Sequence, residues 1–492
     1  MEVWVIILYF ILLGILTIYA FHRYILIFLF QKYEKAETKS IDEFKELPMV
    51  TIQLPLYNEV NVVERLLRSV LAIEYPREKL EIQVLDDSTD ETQVVTQKLV
   101  DELKRDGFNI VYQHRDNRNG FKAGALQEGL ATAKGEFIAI FDADFIPAKD
   151  FLMRSIHYFK DEKVAVVQSR WGHINSDYSL LTNIQAIMLD GHFIVEHIAR
   201  NRSGRFLNFN GTGGIWRKEA IENSGGWHSD TLTEDLDLSY RCQMKGWKFI
   251  YLHNLVSYGE LPIDIDAFKN QQFRWTKGAI QTAKKLLILF LKADLPLKVK
   301  IEGFFHLTNS SAYLLMFLLS ILMFPSMLCR FNIGWYELMY FDLPVFCLAT
   351  FSIGAFYTLA VKEIYPDWKL RLKYIPFLMA LGYGLCVSNG RAVIEGLLGI
   401  ESEFVRTPKY NFGKGKQVRL VKRHDSKKIY AAISEFIFAI YYAYAIYFCI
   451  DYNLIASVPF LLLFAFGFWY IWIYTIWQSR EGIVGFKIKT AY

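Results

Sequence analysis

Cysteine is scarce in this chain: five in 492 residues, at Cys242, Cys329, Cys347, Cys386 and Cys449. None forms a CxxC pair and no spacing gathers thiols around zinc, so neither a disulfide framework nor a cysteine zinc site organises the fold. Free cysteine behaves as a small apolar residue, and all five are read as buried and inert, in keeping with a reducing compartment. An excess of one charge is missing as well. Lys and Arg number 55 against 51 Asp and Glu, a net +4, so nothing in the balance points to nucleic acid as a partner. A secretory leader is not expected: Met1-Glu2 gives no basic lead, no small-residue cleavage site follows, and the apolar run exceeds the ~7–15 residues of a signal peptide. A zinc-peptidase signature is also lacking, because His192-x-x-x-Glu196-His197 has neither the H-E-x-x-H nor the H-x-x-E-H spacing.

The residues that are present divide into two kinds of region. The length is about three times the usual ~150-residue domain. The hydrophobic fraction is 53%, yet 22% of residues are charged, more than membrane helices alone would carry. Val3 to Phe30 is apolar except for His22 and Arg23, longer than the roughly 20 residues that cross a bilayer. Arg23, Lys32, Lys35 and Lys39 gather toward its end, so the positive-inside rule places the next segment of the chain in the cytoplasm. Further spans are predicted over Leu307–Met327, Leu343–Val361, Ile429–Ile450 and Leu454–Trp477, five in all. Basic clusters at Lys362 to Lys373 and Arg406 to Lys428 separate the pairs and face the cytoplasm too. Residues 374–399 are thereby bounded by cytoplasm at both ends and contain Asn389, Arg391 and Glu395. Parity excludes one simple crossing, and an interfacial amphipathic helix is expected.

Between these membrane parts, Val50–Leu54, Ile82–Leu85, Asn109–Tyr112 and Phe137–Phe141 read as strands, and Val62–Ala72, Thr92–Arg105 and Lys122–Ala133 as helices. That alternation predicts an α/β domain with a mainly parallel sheet. Ligands of such sheets bind beyond the carboxyl ends of the strands. Those ends carry Pro55 to Glu59, Asp86 to Asp90, and Asp142-Ala143-Asp144. Taken singly, an Asp-Ser-Thr-Asp turn is an ordinary helix cap. Three acidic turns on one sheet edge need compensation by a cation or a donor-rich ligand. Asp142 and Asp144 supply the hard oxygens that Mg2+ or Mn2+ takes beside phosphate oxygens. Asn210 to Gly214 is a glycine-rich turn that lets backbone approach a ligand. Thr233 reads as an N-cap with Glu234 and Asp235 in the first helical turn, where they also favour the helix dipole. Gln271, Arg274 and Trp275 fall on an amphipathic helix before the membrane region; alone, such an Arg-Trp pair reads as interfacial anchoring.

Together, Pro55 to Glu59, Asp86 to Asp90, Lys122 to Leu126, Asp142 to Asp144, Thr233 to Asp235 and Gln271 to Trp275 resemble the family 2 glycosyltransferases of the cellulose synthase type. Arg115 to Leu126, Asn210 to Arg217 and Gly246 to Phe249 look most like the plant cellulose synthase-like A and C proteins, which make β-mannan and β-glucan backbones. The resemblance covers about residues 48–285. It implies a GT-A (Rossmann-like) cytoplasmic domain over 48–290, between an N-terminal transmembrane helix and linker (1–47) and a membrane region (291–492).

The resemblance also implies roles. Tyr57, Glu59 and Asp86 or Asp87 would hold the nucleotide, and Asp142 with Asp144 the metal-bound diphosphate. Lys122 and Arg274 would neutralise the leaving diphosphate, aided by Gly211, Thr212 and Gln271. Asp235, beside Glu234, would be the base, and Trp275 would stack on the acceptor. One base without a carboxylate nucleophile implies inversion, giving a β-linked product from an α-linked donor. Phe404, Thr407 and Lys409 match a gating loop over 401–416, where Arg406 replaces the family's valine. Only Gln478 to Tyr492 lies beyond the last span, and no cyclic-dinucleotide-binding regulatory domain is expected.

The implied reaction takes a hexose from UDP-glucose or GDP-mannose to a growing β-glycan, with passage of the product through a plasma (inner) membrane. Transfer of one sugar to a lipid, ceramide or polyprenyl phosphate, is the competing reading. A membrane transporter or scaffold in which the acids only cap helices is a third. The sequence leaves the sugar, the base and the oligomeric state open.

Overall fold

The computed structural model describes residues 2–35, 42–401, 406–412 and 427–480. A long apolar helix, α1 (Glu2–Tyr33), leads into seven strands: β1 (Val50–Leu56), β2 (Leu80–Asp86), β3 (Ile110–His114), β4 (Phe137–Ile140), β5 (Val164–His173), β6 (Gly214–Arg217) and β7 (Lys248–Gly259). Between them run α2 (Val63–Leu71), α3 (Thr92–Arg105), α4 (Phe121–Thr132), α5 (Phe151–Ser155), α6 (Leu180–Asp190), a π-helical turn (Gly191–Glu196), α7 (His197–Arg202), α8 (Lys218–Asn223) and α9 (Glu234–Met244). The chain continues in α10 (Ile265–Lys292), α11 (Leu297–Thr308), α12 (Ser311–Asn332), α13 (Met339–Ile364), α14 (Trp368–Arg371), α15 (Ile375–Gly384), α16 (Cys386–Leu398), α17 (Lys427–Asp451) and α18 (Val458–Arg480).

One sheet of order β3-β2-β1-β4-β6-β5-β7 organises the central domain. Strands β1 to β4 are parallel, β7 is parallel to β5, and β6 alone runs against its neighbours. Helices on both faces bury the strands, and successive residues serve opposite cores. In β4, Ile138 and Ile140 join one cluster with Leu126 and Trp216, whereas Phe137 and Ala139 join the other with Leu66 and Phe151. Polar residues inside β1 and β2 satisfy each other across the pair: Thr51 Oγ1 donates to Glu81 Oε2 at 2.7 Å and Gln53 Nε2 to Gln83 Oε1 at 3.0 Å. Strand order reverses at β1, with β2 on one side and β4 on the other, the point where open α/β sheets leave a ligand crevice.

Among the described residues, five helices are long and apolar enough to cross a membrane: Glu2–Tyr33, Ser311–Asn332, Tyr340–Ile364, Ile433–Asp451 and Val458–Trp477. They correspond to the five predicted spans, and the protein is an integral membrane protein. The second begins at Ser311 rather than Leu307, because α11 ends at Thr308 and a separate helix starts after it.

The single interfacial helix expected over 374–399 is instead two helices, α15 and α16, in a segment bent by 47°. The apolar half and the polar half of that stretch have different partners. Gly384 of α15 lies against the backbone of Gly467, so α15 packs into α18, whereas Glu395 of α16 meets Lys277 of α10 at 2.9 Å. The sheet domain is fused to the membrane part: Leu26, Leu29 and Phe30 of α1 and Phe356 of α13 belong to the same core as β4.

Candidate active site

The turns after β1, β2 and β4 open on one cavity of about 260 Å³, bordered also by the 210–211 turn, the start of α9, α10 and the 406–409 segment. The first two turns are tied together. Ser88 Oγ accepts from Asn58 N at 2.8 Å, and Asn58 Oδ1 accepts from Thr89 N at 2.9 Å, with Asn58 at φ 57°.

Of the residues singled out from the sequence, Tyr57, Glu59, Asp87, Lys122, Asp142 and Asp144 line the cavity, as do Gly211, Glu234 and Asp235. Gln271, Arg274 and Trp275 reach it from α10, where spacings of three and four residues put them on one face. Thr407 and Lys409 close the far side, and Phe404 lies outside the described residues.

Two expected residues do not face the cavity. Asp86 is fully buried beneath it, accepting from Tyr112 Oη at 2.6 Å and from Ser88 N at 3.0 Å, so it shapes the turn while Asp87 points outward. Thr212 is likewise buried; its Oγ1 accepts from Asp142 N at 2.8 Å and locks that turn. Thr233 does not cap α9 with its side chain: its hydroxyl pairs with Thr282 of α10 at 3.1 Å.

Asp142, Asp144, Glu59, Asp87 and Glu260 are each paired with a lysine or an arginine. Lys122 Nζ donates to Asp142 Oδ1 at 2.6 Å and to the Gly211 carbonyl at 2.8 Å. Lys409 Nζ donates to Asp144 Oδ2 at 2.8 Å. Arg406 forks onto Glu59, with Nε 2.9 Å from Oε1 and Nη2 on Oε2. Arg115 forks onto Asp87 at 2.7 and 2.6 Å. Glu260 anchors the 406–412 segment by accepting from Tyr410 N and Phe412 N, both at 2.8 Å, and from Arg65 Nη1 at 2.7 Å.

Burial sets the proton affinities. It pushes Asp235 up to about 7, with the neighbouring Glu234 charge adding to the rise. Glu234 is raised by burial too, against the pull of Lys122. Glu59 is raised to about 7 by burial despite Arg406. For Lys122, burial lowers its proton affinity, but Asp142 and Glu234 outweigh it and the ammonium is favoured.

Gly211, at φ 79°, is required by geometry: a Cβ there would stand 3.1 Å from Asp235 Oδ2 and 3.4 Å from Lys122 Nζ.

The donor set suits a divalent cation. Asp142 and Asp144 present hard oxygens of the kind that Mg2+ or Mn2+ takes, each paired with a lysine ammonium.

Sequence reasoning gave no role to Arg118, whose guanidinium lies 3.3 Å from the Tyr57 ring centroid, or to Trp171, His173 and Glu260. Arg118 follows β3, whose carboxyl end is on the same edge, which is the signal that would have found it. The β5 and β7 residues reach the cavity only through strand pairing remote in sequence.

A parallel-dominated sheet with acidic strand ends around such a cleft defines the class: a GT-A domain fused to membrane helices. Residues 48–278 match the family model described as "Glycosyltransferase like family 2". The chain is 38% identical over 270 residues to glucomannan 4-beta-mannosyltransferase 7 of Arabidopsis thaliana, covering 54% of this chain and 49% of that protein. It is 44% identical over 248 residues to glucomannan 4-beta-mannosyltransferase 2 of the same organism, covering 49% of this chain and 46% of that protein. The chain thus spans about half the length of the curated relatives it matches. Among solved structures, the mannosyltransferase PcManGT from Pyrobaculum calidifontis, in complex with GDP-Man and Mn2+, is similar with a TM-score of 0.52 at 20% identity. That likeness covers 79% of this chain and 99% of that one, and it shows the fold.

Proposed function

We propose that this protein is a membrane-bound inverting hexosyltransferase that moves a sugar from a nucleotide-sugar donor, UDP-glucose or GDP-mannose, onto a growing β-linked glycan. The observation that carries the reading is the meeting of the acidic strand ends, Asp235 and the Gln271-Arg274-Trp275 face of α10 in one cavity. The matched relatives named as glucomannan 4-beta-mannosyltransferases favour a mannose donor and a polymeric acceptor.

Tyr57, Glu59 and Asp87 bind the base and ribose, with Asp86 holding their turn. Asp142 and Asp144 hold Mg2+ or Mn2+, which when bound neutralises the donor diphosphate. Lys122 and Arg274 stabilise the charge that builds on the leaving diphosphate. Asp235 takes the proton from the acceptor hydroxyl as its oxygen attacks the anomeric carbon, and the raised affinity of that carboxyl suits a base working near neutral pH. Glu234 keeps that affinity high. Trp275 stacks on the acceptor sugar and Gln271 hydrogen-bonds to it. Thr407 and Lys409 engage the donor from the 406–412 side, a role expected also of Phe404.

Basic residues at Lys32, Lys362, Lys369 and Lys373 on the sheet-domain side support a cytoplasmic catalytic domain, in a plasma (inner) membrane.

Purified protein in lipid nanodiscs, incubated with labelled UDP-glucose or GDP-mannose and Mg2+ or Mn2+, is the test. Expected is a β-linked polymer whose formation EDTA stops and either metal restores. A single-sugar lipid product without polymer would replace the acceptor assignment, and no transfer from any donor would sink the reading.

A further inference from the structure

A buried polar chain runs from the cavity to the first membrane helix, and no step of the transfer uses it. Asn210, next to the Gly211 whose carbonyl holds Lys122, is gripped at both ends of its carboxamide. His197 Nε2 lies 2.6 Å from Asn210 Oδ1, and Asn210 Nδ2 lies 2.9 Å from His192 Nε2. His192 Nδ1 is 2.9 Å from Glu196 Oε2, which only accepts. In a neutral His192 this makes Nδ1 the donor and Nε2 the acceptor, so the Asn210 amide group donates to His192 and its oxygen accepts from His197.

The chain continues inward. Arg200 Nη1 donates to Glu196 Oε2 at 3.1 Å and Arg200 Nε to Glu302 Oε1 at 3.0 Å. Glu302 Oε2 is 2.9 Å from Nε2 of His22 in α1, whose ring stacks on Phe305. Arg200 and Glu302 are almost fully buried, where an unmatched charge would be costly, so each link constrains the next.

The backbone is shaped for this grip. Residues five apart on a regular α-helix point about 140° away from each other. In the π-helical turn the His197 N–H bonds to the His192 carbonyl, and the two rings come together with centroids 4.3 Å apart. The same turn is seated on the membrane helices, since a Cβ at Gly191 would meet the Tyr357 and Phe356 rings of α13 at 2.6 and 2.7 Å.

We propose that Asn210 is a positioning residue for the transfer: His192 and His197 hold its carboxamide, this sets the Gly211 carbonyl that keeps Lys122 beside Asp142, and Glu196, Arg200 and Glu302 tie that setting to His22 of α1. The inference rests on the reading of the cavity as a transfer site. Its physical content is that displacing α1 displaces a catalytic lysine.

The full chain in nanodiscs tests it by two routes. In turnover, Asn210→Leu lowers kcat by about 100-fold with donor KM within about twofold, the signature of a misplaced reacting group. His22→Phe, which keeps the ring stack and loses the bond to Glu302, lowers kcat about fivefold, and the double variant is no slower than Asn210→Leu alone. His197→Gln, which offers an N–H at similar reach, retains kcat within about threefold, whereas His197→Leu falls with Asn210→Leu. Multiplying effects in the double variant, or a wild-type kcat in His22→Phe, would overturn the proposal.

The second route needs no donor. Hydrogen exchange of the amides of Phe209, Asn210 and Gly213, bonded to Ser239, Gln168 and Ile140, speeds up in His22→Phe, and unchanged rates overturn the coupling. This arm decides the matter if no sugar is turned over or if Asn210→Leu fails to fold, which separates its failure from that of the transfer reading.

Discussion

Burial raises the Asp235 carboxyl to about 7, and the Glu234 charge adds to the shift. The folded protein therefore keeps a proton that the unfolded chain releases near pH 4, and this group makes stability fall as pH rises from about 4 to about 7. Asp235→Asn removes the cost while its side-chain oxygen still accepts from Leu236 N, as Asp235 Oδ1 does at 2.8 Å. Without metal or donor, the variant is expected to match the wild type in melting temperature near pH 4 and to exceed it increasingly up to about pH 7, where the difference levels off; a constant offset from pH 4 upward counts against the raised affinity. In turnover the same exchange removes the proposed base, and a fall of about 10²–10⁴-fold is expected, with donor affinity by calorimetry little changed. Wild-type kcat/KM should climb with pH to about 7 and level off, because the base acts only when ionised. The two acidic residues at the start of α9 were legible as a helix start. That they face Lys122 rather than solvent is set by α10 and the 210–213 turn, both far away in sequence.

Strands and helices of the sheet domain were readable because each apolar run is short and bounded by turn residues. The 92–105 helix falls at its expected limits, and β1 extends two residues further than expected because Pro55 and Leu56 continue the pairing with Leu85 and Asp86. The 374–399 stretch forms two helices where one is expected, since apolarity alone does not show which neighbour each part of a segment packs against. Gly384 and Gly467 decide it: a Cβ at Gly467 would lie 2.2 Å from the Ala380 carbonyl oxygen, so the two backbones touch. Small residues permit such close approach of membrane helices. Gly467→Leu is expected to push α15 from α18 and destabilise the protein by about 1–3 kcal/mol, the usual cost of overpacking. Thermal denaturation in detergent measures this, and a melting point equal to the wild type would contradict the contact.

At the scale of the whole molecule, the membrane helices and the sheet domain share one hydrophobic core, with α1 and α13 contributing to the cluster that holds β4. With α12 and α13 each crossing the bilayer, the expected topology has the turn at 334–338 across the membrane from the sheet domain and the α13–α14 connection on the same side as it. Single cysteines placed at Glu91, Lys369 and Trp335, labelled with an impermeant maleimide in sealed vesicles, should give one accessibility for the first two and the opposite for the third. Equal labelling of all three would overturn the five-span arrangement.

Alternating short apolar runs determined the α/β domain, and long apolar runs separated by basic clusters determined the five membrane helices, because both signals are local in the chain. Residue types at the strand ends were likewise enough to gather most of the cavity's acids on one edge. Which acid faces the cavity and which lies under it, as with Asp87 and Asp86, was decided by turn geometry that composition does not encode. The pairings of Arg406 with Glu59, Lys409 with Asp144, and His22 with Glu302 join residues hundreds of positions apart. Only the folding of the membrane part against the sheet brings them within hydrogen-bond reach.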